Sequence, residues 1–214
     1  MVKYMGNLKT KGIILKESNM GDYDKMLTML TPGLGKISCH ARGARRPKSS
    51  LMAGTQFLCF GEYLLFKGSN TYNINSCEPI EVFYNVRIDY DKLTYVAEIV
   101  KIVCDVTNEN DNSYRVLQLL LNTLYTISEL DKDLDLVLAI FKIRLLSIIG
   151  FTPQVDSCKT CNEEMNIKYF SIKDDGIKCG ACGKIDKSSI EISERNSNCF
   201  KIYYQSTSEK TFFF

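Results

Sequence analysis

Four of the nine cysteines fall into two Cys-x-x-Cys pairs, Cys158-Lys-Thr-Cys161 and Cys179-Gly-Ala-Cys182, with 17 residues between the pairs. Two residues between sulfurs let both thiolates reach one ion from a tight knuckle, and the separation of the pairs is that of a four-cysteine zinc site. Gly180 and Gly183 are read as supplying the backbone freedom of the second knuckle. Residues 169–172 and 176–178 read as the short strands of a ribbon. Four sulfur ligands leave no open coordination position, so the expected cofactor is one structural Zn2+ holding a segment too short to bury a core of its own. The competing chemistry is a thioredoxin-type redox pair, which needs a single Cys-x-x-Cys beside a strand–helix unit; two copies at ribbon spacing favour the metal. Cys39, Cys59, Cys77, Cys104 and Cys199 have no ligand spacing and read as buried or incidental thiols.

The second constellation is basic. Lys36, Arg42, Arg45, Arg46 and Lys48 supply five cations in thirteen residues, interleaved with Gly, Ala, Pro and Ser. Guanidinium groups match phosphate oxygens in pairs, and a loop of small residues lets several follow one nucleic-acid backbone. From residue 25 to residue 61 six basic residues occur without an Asp or Glu. That bias favours phosphate as the ligand over the alternative, a merely solvated charged loop. With five phosphates neutralised on a single strand, the salt slope would be about −3.5, or roughly a hundredfold in affinity from 50 to 200 mM salt. Tyr63, Phe66 and Tyr72 are candidate stacking residues, although at strand spacing an aromatic belongs more often to the core.

Little supports catalysis. The chain has a single histidine, His40, so a His-paired nucleophile has scant material. Its neighbour Cys39 does not complete a dyad, because adjacent strand residues point to opposite faces. The formal charge of the 214 residues is only +2, but it divides into +6 over residues 1–80 and −4 over the rest. No apolar run approaches the roughly 20 residues of a membrane span. The start of the chain lacks a signal-peptide h-region, and the expected compartment is the cytoplasm.

The elements that must position these groups change character along the chain. Residues 12–15, 26–30, 36–41, 57–66 and 71–76 read as five strands between turn signals. Five short strands in so small a span suggest a closed barrel, the OB fold being the common solution and an SH3-like barrel the alternative. From about residue 80 the period becomes helical, with Ile88, Leu93, Val96, Ile99, Val100 and Val103 on one face. A second helix is expected over 113–130 and a third over 134–149, stopping at Gly150. The third is apolar on most of its circumference and should lie at the centre of a bundle. The expected organisation is an α+β multidomain chain: an N-terminal five-stranded OB-fold β-barrel (1–80), an α-helical domain (81–153) with an inserted four-cysteine zinc ribbon (154–190), and a tail (191–214).

Three segments, Lys11-Gly-Ile-Ile-Leu-Lys16, Asp22-Tyr-Asp-Lys-Met-Leu-Thr-Met-Leu-Thr31, and Gly35-Lys-Ile-Ser-Cys-His-Ala-Arg-Gly-Ala-Arg-Arg-Pro-Lys-Ser49, give the chain a resemblance to the bacterial DNA repair protein RecO family. It continues in Phe141-Lys-Ile-Arg-Leu-Leu-Ser-Ile-Ile-Gly-Phe-Thr-Pro153, which leads into Cys158-x-x-Cys161 as in zinc-carrying members. The resemblance covers about residues 8–193. It implies an OB fold, a helical domain and a zinc ribbon. Arg42, Arg45, Arg46 and Lys48 match the family's basic loop, and Lys36 matches the lysine preceding its third strand.

It also implies a function: binding single- and double-stranded DNA, annealing complementary strands, and acting with RecR to help RecA replace single-strand-binding protein (SSB), the RecF pathway of recombinational repair at the nucleoid. The alternative from another class is an OB-fold plus zinc-ribbon protein that binds RNA or assists transcription. After Ser193 the family continues with further amphipathic helices. Here the tail has no sustained helical period and ends in three phenylalanines, as expected of a frameshifted or prematurely ended C-terminus.

Overall fold

Alternating apolar and polar positions in the first third of the chain produce five strands that close on one another. β1 (Asn7–Met20), β2 (Asp24–Thr31), β3 (Gly35–Ala41), β4 (Phe60–Lys67) and β5 (Tyr72–Glu81) form a closed barrel in the order β1-β2-β3-β5-β4. β3 and β5 meet in parallel, Cys39 opposite Tyr72, and the other neighbours are antiparallel. This is the five-stranded Greek-key arrangement of an OB-like fold. The computed structural model describes residues 6–68 and 71–193.

Inward-pointing Ile14, Leu27, Met29, Ile37, Cys39, Tyr63, Leu65, Tyr72 and Ile74 fill the barrel, and Ala44 and Leu51 of the β3–β4 connection join them. Tyr63 and Tyr72 are therefore core residues rather than stacking platforms. The Tyr63 hydroxyl donates to the Gly54 carbonyl at 2.8 Å, which satisfies it inside the barrel.

β1 is far longer than the 12–15 segment legible in the sequence. Its first half pairs with β4, Asn7 opposite Phe66, and its second half with β2, Met20 opposite Asp24. One strand thus closes the barrel, and the ends that run past the core can be polar. Conversely, β4 begins at Phe60 and not at residue 57, because Leu58 turns with φ 63° and the Cys59 N–H bonds the Gln56 carbonyl.

The chain divides into two compact units, Met1–Leu138 and Ala139–Phe214. In the first, α1 (Tyr84–Ile88), α2 (Tyr90–Val106) and α3 (Tyr114–Glu129) follow the barrel. A single helix from residue 80 is not what forms: β5 continues to Glu81, and Asp89 interrupts the helix, its carboxylate accepting from the Lys92 N–H as the N-cap of α2. The interruption shifts the helical phase, which turns Ile88 outward instead of into the core. α2 buries Val96, Ile99, Val100 and Val103 as the periodicity predicts, and α3 buries Leu117, Leu120, Leu124 and Ile127.

Residues 107–113 dock on the β2–β3 turn. Lys36 N–H donates to Asn108 O at 3.0 Å, Asn110 N–H to Leu34 O at 2.8 Å and Ser113 N–H to Pro32 O at 3.0 Å. Gly35 permits this approach: its φ is +69°, and a Cβ there would lie 2.0 Å from the Asn108 carbonyl oxygen.

α4 (Leu134–Ile148) ends before Gly150, whose φ of 96° lets the Phe151 N–H return to the Leu146 carbonyl at 2.8 Å. It is not enclosed on all sides as its composition suggests: Leu136 and Leu146 are exposed while Phe141 and Leu145 are buried. In the second unit β6 (Ile167–Ser171), β7 (Gly176–Cys179) and β8 (Ser189–Glu191) form a sheet in the order β7-β6-β8, with the short α5 (Gly180–Ile185) after β7. Asp186 ties it together, its carboxylate accepting from Ser171, Ser188, Ser189 and the ammonium of Lys178. The tail from residue 194, with Cys199, lies outside the described residues.

Candidate nucleic-acid interface and metal centre

The basic loop leaves β3 at Ala41 and winds through successive turns to β4. Arg46 N–H bonds the Gly43 carbonyl, Ser49 N–H that of Arg46, and Met52 N–H that of Ser49. Ala44, nearly fully buried, pins the loop to the barrel, while Arg42, Arg45, Arg46 and Lys48 are exposed. Its register is fixed by the β1–β2 turn. The Arg45 N–H donates to the Tyr23 carbonyl at 2.8 Å, and the Arg45 guanidinium donates to the Gly21 carbonyl at 3.3 Å. Asp24 completes the junction, accepting from the Gly43 N–H at 2.8 Å and from His40 Nε2 at 3.0 Å. The Gly43 bond, then the His40 bond and charge, hold the Asp24 carboxyl below the usual carboxylate range against the opposing effect of burial.

The structure therefore brings four of the five predicted cations together on one rim and separates the fifth. The Lys36 ammonium donates to the Cys104 carbonyl in the last turn of α2. There it offsets the negative end of the helix dipole and satisfies a carbonyl lacking an intrahelical partner. Lys25 is likewise engaged, its ammonium meeting Glu17 and the Thr55 carbonyl.

Next to the loop lies the outer face of β1, β2 and β3. The register places Lys16, Ser18 and Met20 of β1 opposite Thr28, Met26 and Asp24 of β2, and Ser38 and His40 of β3 opposite Thr28 and Met26. This polar face with a basic rim occupies the strand-2–3 surface on which OB folds take nucleic acid. Two residues on or beside this face carry no site signal in the sequence. Lys16 precedes the acid-free stretch, and Tyr23 sits in a turn where no periodicity marks it. Of the predicted stacking residues, Phe66 alone is only partly buried.

In the ribbon the four Sγ atoms of Cys158, Cys161, Cys179 and Cys182 all lie within 4.8 Å of one another, and those of Cys161 and Cys179 are 3.7 Å apart. A tetrahedral ion with metal–sulfur bonds of about 2.3 Å sets its sulfurs about 3.8 Å apart, so the cluster fits a metal ion. Cys158 is buried, and burial alone would raise its pKa. The N–H groups of Cys179, Cys161 and Thr160 prevail and bring it down to about 6. Neither Gly180 nor Gly183 has a positive φ, contrary to the freedom ascribed to them. Gly183 is needed for space, since a Cβ would lie 2.2 Å from the Tyr169 ring; the left-handed positions belong to Asn162 and Asn166.

Among the remaining cysteines, Cys39 and Cys59 are buried in the barrel, and burial pushes the Cys39 thiol up to about 12. Among the described residues no helix is long and apolar enough to cross a membrane.

Two family models match the chain: recombination protein O N terminal over residues 5–83 and recombination protein O C terminal over residues 87–212. The second match runs past Ser193, where the motif resemblance ends. A curated DNA repair protein RecO of Acetivibrio thermocellus is 47% identical over 191 residues, 89% of this chain and 76% of that protein. Its namesakes from Alkaliphilus metalliredigens and Caldicellulosiruptor bescii are 37% and 36% identical, covering 87% and 86% of this chain and 76% of each relative.

Proposed function

Because the chain belongs to the recombination protein O family, we propose that it is a non-enzymatic DNA-binding mediator of recombinational repair. In this reading it binds single- and double-stranded DNA, anneals complementary strands, and works with RecR to help RecA replace SSB on gapped DNA. The observation that carries the DNA assignment is the rim of Arg42, Arg45, Arg46 and Lys48, exposed together and held in register against the β1–β2 turn by Asp24 and Tyr23. Two neutralised strands can approach one another where bare phosphates repel, so annealing needs charge and alignment but no nucleotide hydrolysis.

We further infer that the ion of the ribbon is Zn2+, because four thiolates at tetrahedral separation suit its preference for sulfur. Zinc there supplies folding energy to the small sheet and no chemistry. The test of DNA binding is charge reversal, Arg45→Glu with Arg46→Glu. It should lower affinity for both DNA forms and flatten the dependence of log K on log salt by about 1.4 for single strands. Isotherms unchanged at every salt concentration would remove the loop from the site.

A further inference from the structure

Tyr63 and Tyr72 are sealed in the barrel, and a different aromatic stands on the basic rim. Tyr23 occupies the β1–β2 turn and is 49% exposed. Its carbonyl is fixed by the Arg45 N–H at 2.8 Å, and the Arg46 guanidinium lies over its ring at 5.4 Å from the centroid. The next residue, Asp24, is anchored to Gly43 and His40. The ring is thus held on a turn stapled from both sides, at the point where the loop cations are densest, with about half of the residue open to solvent.

We propose that Tyr23 is a base-stacking platform that makes this surface prefer single-stranded DNA over duplex. This rests on the DNA-binding reading of the basic rim and adds to it a specificity-determining residue. Phosphate contacts alone do not favour a single strand, since the duplex carries the denser phosphate charge. A flat π surface set beside the cations does, because only an unpaired base has a free face to lay on it. Arg46 contributes twice: its charge meets phosphate, and its plane keeps the phenol ring oriented on the rim. In a strand-annealing protein such a platform would hold one strand with its bases presented, and would release them as the duplex forms.

The chain contains no tryptophan, which makes the test direct. Tyr23→Trp introduces a single indole whose emission should be quenched by a saturating oligothymidylate and left unchanged by a blunt duplex of equal length. Tyr23→Ala should weaken single-strand binding by roughly 5- to 100-fold, by the same factor at 50 and 200 mM salt, since stacking releases no counterions. Duplex affinity should stay within about twofold, and Tyr23→Phe should bind as the wild type does. The fixing hydrogen bond at Tyr23 is made by the backbone, so these substitutions leave the turn in place. Equal losses for single strand and duplex, or an indole unaffected by bound single strand, would overturn the platform. The underlying reading fails separately: Arg45→Glu with Arg46→Glu leaving both affinities intact removes the rim from DNA binding whatever Tyr23 does, and a wild-type chain binding neither form refutes both.

Discussion

Lys36 separates the structure from the sequence most sharply, because the two assign its charge to different partners. In the sequence it is one of five cations facing phosphate; in the structure its ammonium sits on the Cys104 carbonyl at the end of α2. Consider Lys36→Gln. If four loop cations meet a single strand, the salt slope is about −2.8 and affinity falls about 50-fold from 50 to 200 mM salt, in both wild type and variant. What the variant loses is a charged hydrogen bond to a helix terminus, worth about 1–2 kcal/mol in a partly buried setting. For a chain of this size, that is roughly 2–8 °C in Tm. Fluorescence anisotropy with labelled single strand at four salt concentrations, beside thermal unfolding followed by circular dichroism, reads both quantities. A slope flattened by about 0.7 with an unchanged Tm would return Lys36 to the DNA surface.

Further outcomes follow from the same geometry. Gly35→Ala combines a left-handed backbone with a Cβ 2.0 Å from the Asn108 carbonyl, and should cost at least about 2 kcal/mol in the unfolding of the first unit, measured by urea titration. The Asp24 carboxyl lies below its ordinary value, so its contribution is present above about pH 4, the unfolded value, and is lost as pH falls through the folded one. The Tm gap between wild type and Asp24→Asn should therefore close on acidification below about pH 4, and a gap constant from pH 6 to pH 2 would contradict the link. Elemental analysis should find about one zinc per chain, lost in Cys179→Ser, and chelation should unfold the ribbon; a metal-free, fully ordered ribbon would overturn the assignment.

What was legible in the sequence, and what was not, follows from the range of the interactions involved. The two Cys-x-x-Cys pairs predict their own convergence because each knuckle is local and spacing alone sets its reach; the four sulfurs do meet. The second and third helices are legible for a similar reason, since their apolar periods and the stop at Gly150 are written within a few turns. The full length of β1 is not legible, because its first half pairs with β4 dozens of positions downstream and its polar ends show no alternation to reveal it. Asp89 broke the first helix by capping, a contact that a periodicity average cannot register. The basic loop was visible as composition, but its sorting was not. Only tertiary structure distinguishes Arg45 and Arg46, displayed on the rim, from Lys36, spent on a helix end, or identifies Tyr23 as the aromatic beside them.

Charge on this rim should bring complementary DNA strands together. The most direct measurement is the annealing rate of two complementary oligonucleotides, one labelled with a fluorophore and the other with a quencher, mixed with the purified 214-residue chain at low salt and without ATP. The wild-type chain should anneal the strands well above the spontaneous rate, and Arg45→Glu with Arg46→Glu should return them to that rate. A wild-type chain that leaves the spontaneous rate unchanged, or a double variant that anneals as fast as the wild type, would exclude charge on the rim as the cause.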